Sequence, residues 1–169
     1  MESSCLPKKH ERPEDCRMTG IRCITEEDLP SIRKLIEQLA VDLGEVFEIS
    51  EEKALEHYQA MQEHPEVYQS FVSCMDGQVI GFISLVLYRS FFHRKGTALV
   101  NELVVEKEFR NRQIGKALLE HAFSVAKEAG MDELEVGVMK ENTRAIAFYR
   151  KNGFDEEYLL LGKEFCQEV

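Results

Sequence analysis

Residues 103–118 read Leu103-Val-Val-Glu-Lys-Glu-Phe-Arg-Asn-Arg-Gln-Ile-Gly-Lys-Ala-Leu118, and this stretch decides the fold. An apolar strand runs into a polar, basic turn, and the turn opens a long helix marked by Ile114, Ala117, Leu118, His121, Ala122, Val125 and Ala126. The first amides of a helix have no intrahelical acceptor, and the helix dipole adds partial positive charge there. Such an end binds anions. Gly115 lets a ligand approach the backbone where a side chain would block it. Arg110, Arg112 and Lys116 add positive charge in a chain that is acidic overall. A pyrophosphate would fit. A glycine near a helix start flanked by arginines also suits a plain tight turn, and the stretch is neither GxxxxGK[ST] nor GxGxxG.

Outward from this stretch the period of the apolar residues gives the remaining elements. Upstream, Met18–Ile24 reads as a short strand, and residues 26–40 as an amphipathic helix with Thr25 and Asp28 as a capping pair and Pro30 in its first turn. Gly44 interrupts the pattern. Ser50 caps a second helix with Ala54, Leu55, Tyr58 and Met61 on its apolar face. Tyr68–Met75 and Val79–Tyr88 form a hairpin across Asp76-Gly77, and Thr97–Val105 is a third strand. Downstream, Gly130 ends the long helix. Leu134, Val136 and Val138 alternate as a strand, Asn142 caps a helix, Gly153 ends it, and Phe154 begins a final strand pair that includes Tyr158–Leu161 and Phe165. The expected order is β-α-α-β-β-β-α-β-α-β-β, a single α/β domain over residues 18–169 preceded by a flexible segment, 1–17.

Composition narrows the function. The chain has 169 residues, 44% of them hydrophobic, enough for one core. No apolar run approaches the roughly 20 residues of a membrane span, and no apolar segment follows the charged N-terminus, so a cytoplasmic protein is expected. A net charge of −10 disfavours nucleic acid and is compatible with a cationic substrate. The five cysteines lack zinc-site spacing and read as isolated thiols; no metal is expected.

Arg112-Gln-Ile-Gly115-Lys-Ala117 resembles the (Gln/Arg)-x-x-Gly-x-(Gly/Ala) signature of the GNAT superfamily of N-acetyltransferases. Asn142-Thr-Arg-Ala145-Ile-Ala-Phe-Tyr149-Arg-Lys-Asn-Gly153-Phe154 resembles that superfamily's second motif, Asn-x-x-Ala-x-x-(Phe/Leu)-Tyr-x-x-x-Gly-Phe. The helix and strand between the motifs match, and the resemblance covers about residues 20–165. It implies a GNAT-like acyl-CoA N-acyltransferase fold, a mixed, mostly antiparallel sheet flanked by helices. It also implies acetyl-CoA as co-substrate and transfer of acetyl to an amine. Many members carry glycine where this chain has Asn111 and Gln113. Asparagine tolerates left-handed backbone geometry; glutamine does not, so Gln113 is expected in an ordinary conformation.

The resemblance assigns the cofactor to Leu103, Val104 and Val105 for the pantetheine arm, with the Val105 amide facing the thioester carbonyl. The turn Arg110, Asn111, Arg112, Gln113, Ile114, Gly115, Lys116, Ala117 and Leu118 takes the diphosphate, its amides from Gln113 to Leu118 making the contacts. Asn142 resembles the family's cofactor-contacting asparagine and can cap its helix at the same time. Tyr149 resembles the family's acid for the leaving thiolate; by position alone it could equally be packed against the sheet. Glu102 is the favoured base, since a partly buried glutamate can have a raised pKa. It could also be an exposed strand residue or an ion-pair partner. His93, Tyr88 and a water relay are rivals. Asp42, Glu45, Glu48, Glu51 and Glu52 crowd the junction of the first two helices, where they could attract a polyamine, diamine, aminoglycoside or amino-acid-like amine, or form a solvated acidic surface. A protein lysine or N-terminal acetyltransferase and a non-catalytic acetyl-CoA-binding module are the alternative functions. Dimerisation is implied by family analogy alone.

Overall fold

A computed structural model describes residues 20–163 and 165; the expectations for residues 1–17, and for Met18 as a strand start, lie outside the described residues. These residues fall into two compact units that divide between Val136 and Gly137. In the first, the order is β1 (Gly20–Cys23), α1 (Leu29–Leu43), α2 (Glu51–Gln62), β2 (Tyr68–Met75), β3 (Gln78–Tyr88), β4 (Thr97–Val105), α3 (Ile114–Glu128) and β5 (Glu133–Val136). The second contains α4 (Thr143–Lys151).

The sheet is five-stranded in the order β1-β2-β3-β4-β5. β1 to β4 pair antiparallel, and β5 joins β4 in parallel. Asp76 (φ 50°) and Gly77 (φ 81°) are both left-handed, as a two-residue hairpin turn requires. Alternation along the strands sends Val72, Phe82 and Val104 to one face, where Ile32 and Leu35 of α1 pack on them. Burial of each such side chain is worth about 1.5–3 kcal/mol. Gly81 faces the other way. A Cβ there would lie 3.0 Å from Leu118 and 3.3 Å from Ile114, so a glycine in β3 lets the first turns of α3 sit close against the sheet.

Differences from the sequence expectation have local causes. The first helix is a 3-10 turn, Glu26–Asp28, followed by α1, which continues to Leu43 because Gly44 (φ 80°) supplies its left-handed cap. At its start Asp28 accepts from the Thr25 amide (2.8 Å) and from Nη1 and Nη2 of Arg22 (2.7 Å each). β5 stops at Val136 and does not reach Val138. Its pairing ends at Val100, next to a bulge in which Ser84 opposes Glu102 and Leu85 opposes Val100, leaving Asn101 unopposed. The final strand pair does not form: residues 154–163 are irregular, and Leu159, Leu160 and Leu161 are 80%, 86% and 82% exposed. Alternating apolar residues make a strand only where a partner and a buried face exist. Cys23, expected as an isolated thiol, is disulfide-bonded. Among the described residues no helix is long and apolar enough to cross a membrane.

Candidate functional site

The two halves of β4 have different neighbours. Thr97–Val100 is paired on both sides; beyond the bulge β4 pairs, among the described residues, with β3 alone. The Glu106 amide donates to the Ile80 carbonyl (2.9 Å), which continues the Gly81↔Val105 register. Residues of an antiparallel strand alternate in the side they present. Leu103 and Val105 therefore turn their N–H and C=O groups away from β3, along an edge that β5 leaves unpaired. The Val105 carbonyl is taken, by the Gln38 amide (3.1 Å) and by Arg110 Nε (3.0 Å). The Val105 N–H and both polar groups of Leu103 remain on the edge. Val104 is buried beneath α1.

β4 leads through a 3-10 turn, Lys107–Phe109, into the mouth of α3. Asn111 (φ 64°) and Gln113 (φ 66°) are left-handed, with Arg112 between them in ordinary geometry. The expectation for Gln113 is thus corrected. The chain must turn from the end of β4 into α3 here, and that path overrides the residue's preference; alternating left- and right-handed residues also turn successive amides toward one side. The cost of a left-handed non-glycine residue is roughly 1–2 kcal/mol. No side chain among the described residues caps the helix, and its first internal bond is Ala117 N–H to the Gln113 carbonyl (2.9 Å). The amides of Ile114, Gly115 and Lys116 precede that bond and are left for another acceptor. Ile114 and Leu118 are buried anchors.

The basic residues divide. Arg110 Nη2 donates to Asp42 (2.6 Å), so this guanidinium is committed within the protein. Arg112 lies over the Phe109 ring (5.2 Å), and Lys116 sits 3.4 Å from Glu120; both are exposed at the mouth. The acidic group divides too. Asp42 pairs with Arg110 and Lys107, and Glu51 with Arg33, whereas Glu45, Glu48 and Glu52 are exposed.

Glu102 shares α1's face of the sheet with Val104, two residues on. It is half-buried. Ser84 donates to one carboxylate oxygen and Asn101 to the other (2.6 Å). Burial pushes its pKa above the ordinary glutamate value, against the lowering effect of the Asn101 bond. Tyr88 and His93 lie elsewhere. Tyr88 opposes Thr97, eight residues before Val105 and so roughly 26 Å along the strand at about 3.3 Å per residue. Its hydroxyl donates to Glu135 (2.9 Å), and His93 sits 3.2 Å from Glu133.

In the second unit the Asn142 side chain accepts from the Ala145 amide (3.0 Å), which is the capping role expected for it. Tyr149 lies between Phe148 and Phe154 (ring centroids 5.3 and 5.4 Å away), and burial pushes its phenol up to about 12. Sequence reasoning missed Gln38, Ser84 and Asn101. Ser84 and Asn101 each had a signal, a polar residue breaking an apolar strand; Gln38 had none. Among the described residues no group of three or more His, Cys, Asp or Glu side chains could hold a metal.

The site thus joins a mixed sheet, a strand edge beyond the reach of β5 and a helix mouth without a side-chain cap among the described residues. The chain belongs to the acetyltransferase (GNAT) family, whose model matches residues 32–154. Among its relatives, an uncharacterized N-acetyltransferase of Methanocaldococcus jannaschii is 34% identical over 93 residues, 54% of this chain and 41% of that one. An aminoalkylphosphonate N-acetyltransferase of Salmonella typhimurium is 27% identical over 143 residues, 85% of this chain and 89% of that one. Of solved structures, glucosamine-6-phosphate N-acetyltransferase from Arabidopsis thaliana superposes with a TM-score of 0.75 at 19% identity, over 88% of this chain and 99% of that one, a likeness of fold.

Proposed function

We propose that this chain transfers acetyl from acetyl-CoA to the amine of a small, cationic molecule. The observation that carries the reading is the mouth of α3: two non-glycine residues held left-handed, in front of amides that no side chain among the described residues caps. Strain of this kind persists where function uses it. The residues present suit coenzyme A. The amides of Ile114, Gly115 and Lys116, which precede the first helical bond, would hold its diphosphate, Arg112 and Lys116 would add charge, and the edge of Leu103 and Val105 would pair with its pantetheine arm as an added strand.

When bound, the cofactor supplies an activated acetyl thioester. The Val105 N–H donates to the thioester oxygen as negative charge develops there. Glu102 takes the proton of the incoming ammonium. About 10 Å of strand separates it from Val105, so a water carries the proton over part of that distance. Its raised pKa brings it closer to neutrality than an ordinary glutamate. Tyr149, whose phenol keeps its proton at neutral pH, would give it to the sulfur as the amine nitrogen bonds the acetyl carbon and the C–S bond breaks, and would recover a proton from the newly acylated nitrogen. The position of Tyr88 and His93 near the start of β4 favours Glu102 as base.

The small-amine acceptor is supported by the Salmonella relative, whose name gives an aminoalkylphosphonate as substrate and which aligns over most of the chain. Its cationic character is supported by the net charge of −10 and by exposed Glu45, Glu48 and Glu52. Mixing the protein with acetyl-CoA and a panel of amines and peptides, and following free thiol release, tests the reading. Turnover on diamines or polyamines is expected. A response to peptides alone overturns the acceptor class, and binding of acetyl-CoA without turnover on anything overturns the enzyme. Tyr149→Phe should lower kcat about 10- to 100-fold with cofactor affinity kept.

A further inference from the structure

The turn that carries the bare amides does not support itself. The left-handed Gln113 costs roughly 1–2 kcal/mol and the left-handed Asn111 less, and no side chain among the described residues caps the helix. α1 supplies what the turn lacks. Gln38 and Asp42 are one helical turn apart and face the same way. Gln38 Nε2 donates to the Val105 carbonyl (3.1 Å), while its Oε1 accepts from the Lys107 amide (3.0 Å). One side chain thus bridges the end of β4 to the residue two positions on, as a neighbouring strand would. Asp42 accepts from Arg110 Nη2 (2.6 Å) and lies 3.5 Å from Lys107 Nζ. Arg110, in turn, holds the Val105 carbonyl from the other direction (3.0 Å). Residues 105, 107 and 110 are therefore fixed to a 15-residue helix immediately before Asn111.

We infer that Gln38 and Asp42 are positioning residues for the cofactor turn, which they hold in its strained, amide-forward form before any ligand arrives. The inference rests on the proposed function and adds a device to it. Neither residue touches the cofactor. They act through Val105, Lys107 and Arg110, and spare the ligand the cost of ordering the turn. The same clamp occupies the Val105 carbonyl and leaves the Val105 N–H as that residue's only group on the open edge. It also explains why Arg110, basic and adjacent to the mouth, is held by a carboxylate.

The test is calorimetric titration of wild type, Gln38→Leu and Asp42→Asn with coenzyme A, alongside hydrogen exchange of the ligand-free proteins. Loss of the clamp should weaken coenzyme A about tenfold in Gln38→Leu and about threefold in Asp42→Asn, the scale of one or two hydrogen bonds. Exchange should quicken across residues 107–116 without ligand, stay unchanged in β2 and β3, and return to wild type at saturation. Gln38→Glu adds a pH signature. Its carboxylate repels the Val105 carbonyl, and its protonated form can donate to it, so affinity relative to wild type should recover as pH falls through the carboxyl range. Wild-type affinity and exchange in folded variants, or exchange raised evenly through the sheet, would overturn the inference. Should Gln38→Leu not fold, Asp42→Asn decides on the same readouts. A wild-type chain that does not bind coenzyme A is a different result, and removes the proposed function itself.

Discussion

α2 and α3 begin in opposite ways. At α2 the Ser50 hydroxyl accepts from the Lys53 amide (3.1 Å), and Glu51 and Glu52 complement the dipole in its first turn. At α3 the cap position is Gln113, left-handed and without a side-chain bond, and the first turn holds no acid. The capped helix is closed to ligands; the bare one gives up stability and keeps its amides. On the proposed reading, the difference teaches that an omitted cap beside backbone strain marks the cofactor turn where a nearby basic residue does not. Arg110 is basic and close by, yet it is held by Asp42.

Four changes test this contrast. The largest effect should come from Gly115→Glu, which puts a side chain and a negative charge into the bare mouth. Coenzyme A affinity should fall at least about 100-fold by calorimetry, with the fold retained by circular dichroism. Retained affinity would place the ligand elsewhere.

Glu102→Gln should lower kcat/KM about 100-fold and leave coenzyme A affinity unchanged. In wild type kcat/KM should rise with pH through an ionisation above the ordinary glutamate range, because burial raises this carboxyl and only its ionised form accepts a proton. The variant should lack that limb. Stability carries the opposite sign. The folded state holds the Glu102 proton more tightly than the unfolded chain, so stability falls as pH climbs from the ordinary glutamate value through the raised one. That slope should disappear from the denaturation midpoints of the variant.

Gln113→Gly should release left-handed strain, raising stability by up to about 1 kcal/mol in urea denaturation while leaving coenzyme A affinity within a few-fold. A loss of stability would mean that the glutamine side chain does something unseen in these contacts. The smallest effect on function belongs to Ser50→Ala. It should cost about 1 kcal/mol of stability and leave cofactor affinity alone, since that helix mouth serves only itself.

Much of this contrast is readable from residues, though unevenly. Ser50 and Asn142 announce their caps because their side chains suit no other local role so well. Gly115 and the basic residues around it announce the mouth of α3. The left-handed Gln113 is hidden, because its residue type argues against the conformation and only the path from β4 to α3 demands it. The clamp is hidden for another reason. Gln38 and Val105 are 67 residues apart, and nothing along α1 marks one glutamine among its neighbours. Leu159–Leu161 mislead in the opposite direction, since their pattern promises a strand and no described residue pairs with them. Local chemistry speaks through residue type, whereas long-range partners and enforced backbone geometry do not.

The most direct measurement is a coenzyme A titration of the labelled chain followed by amide NMR. Saturable shifts concentrated at Leu103, Val105 and Gln113–Leu118, with the amides of Ser50–Lys53 unmoved, are the predicted result. An unchanged spectrum at millimolar coenzyme A, or shifts that bypass the mouth of α3, would contradict it.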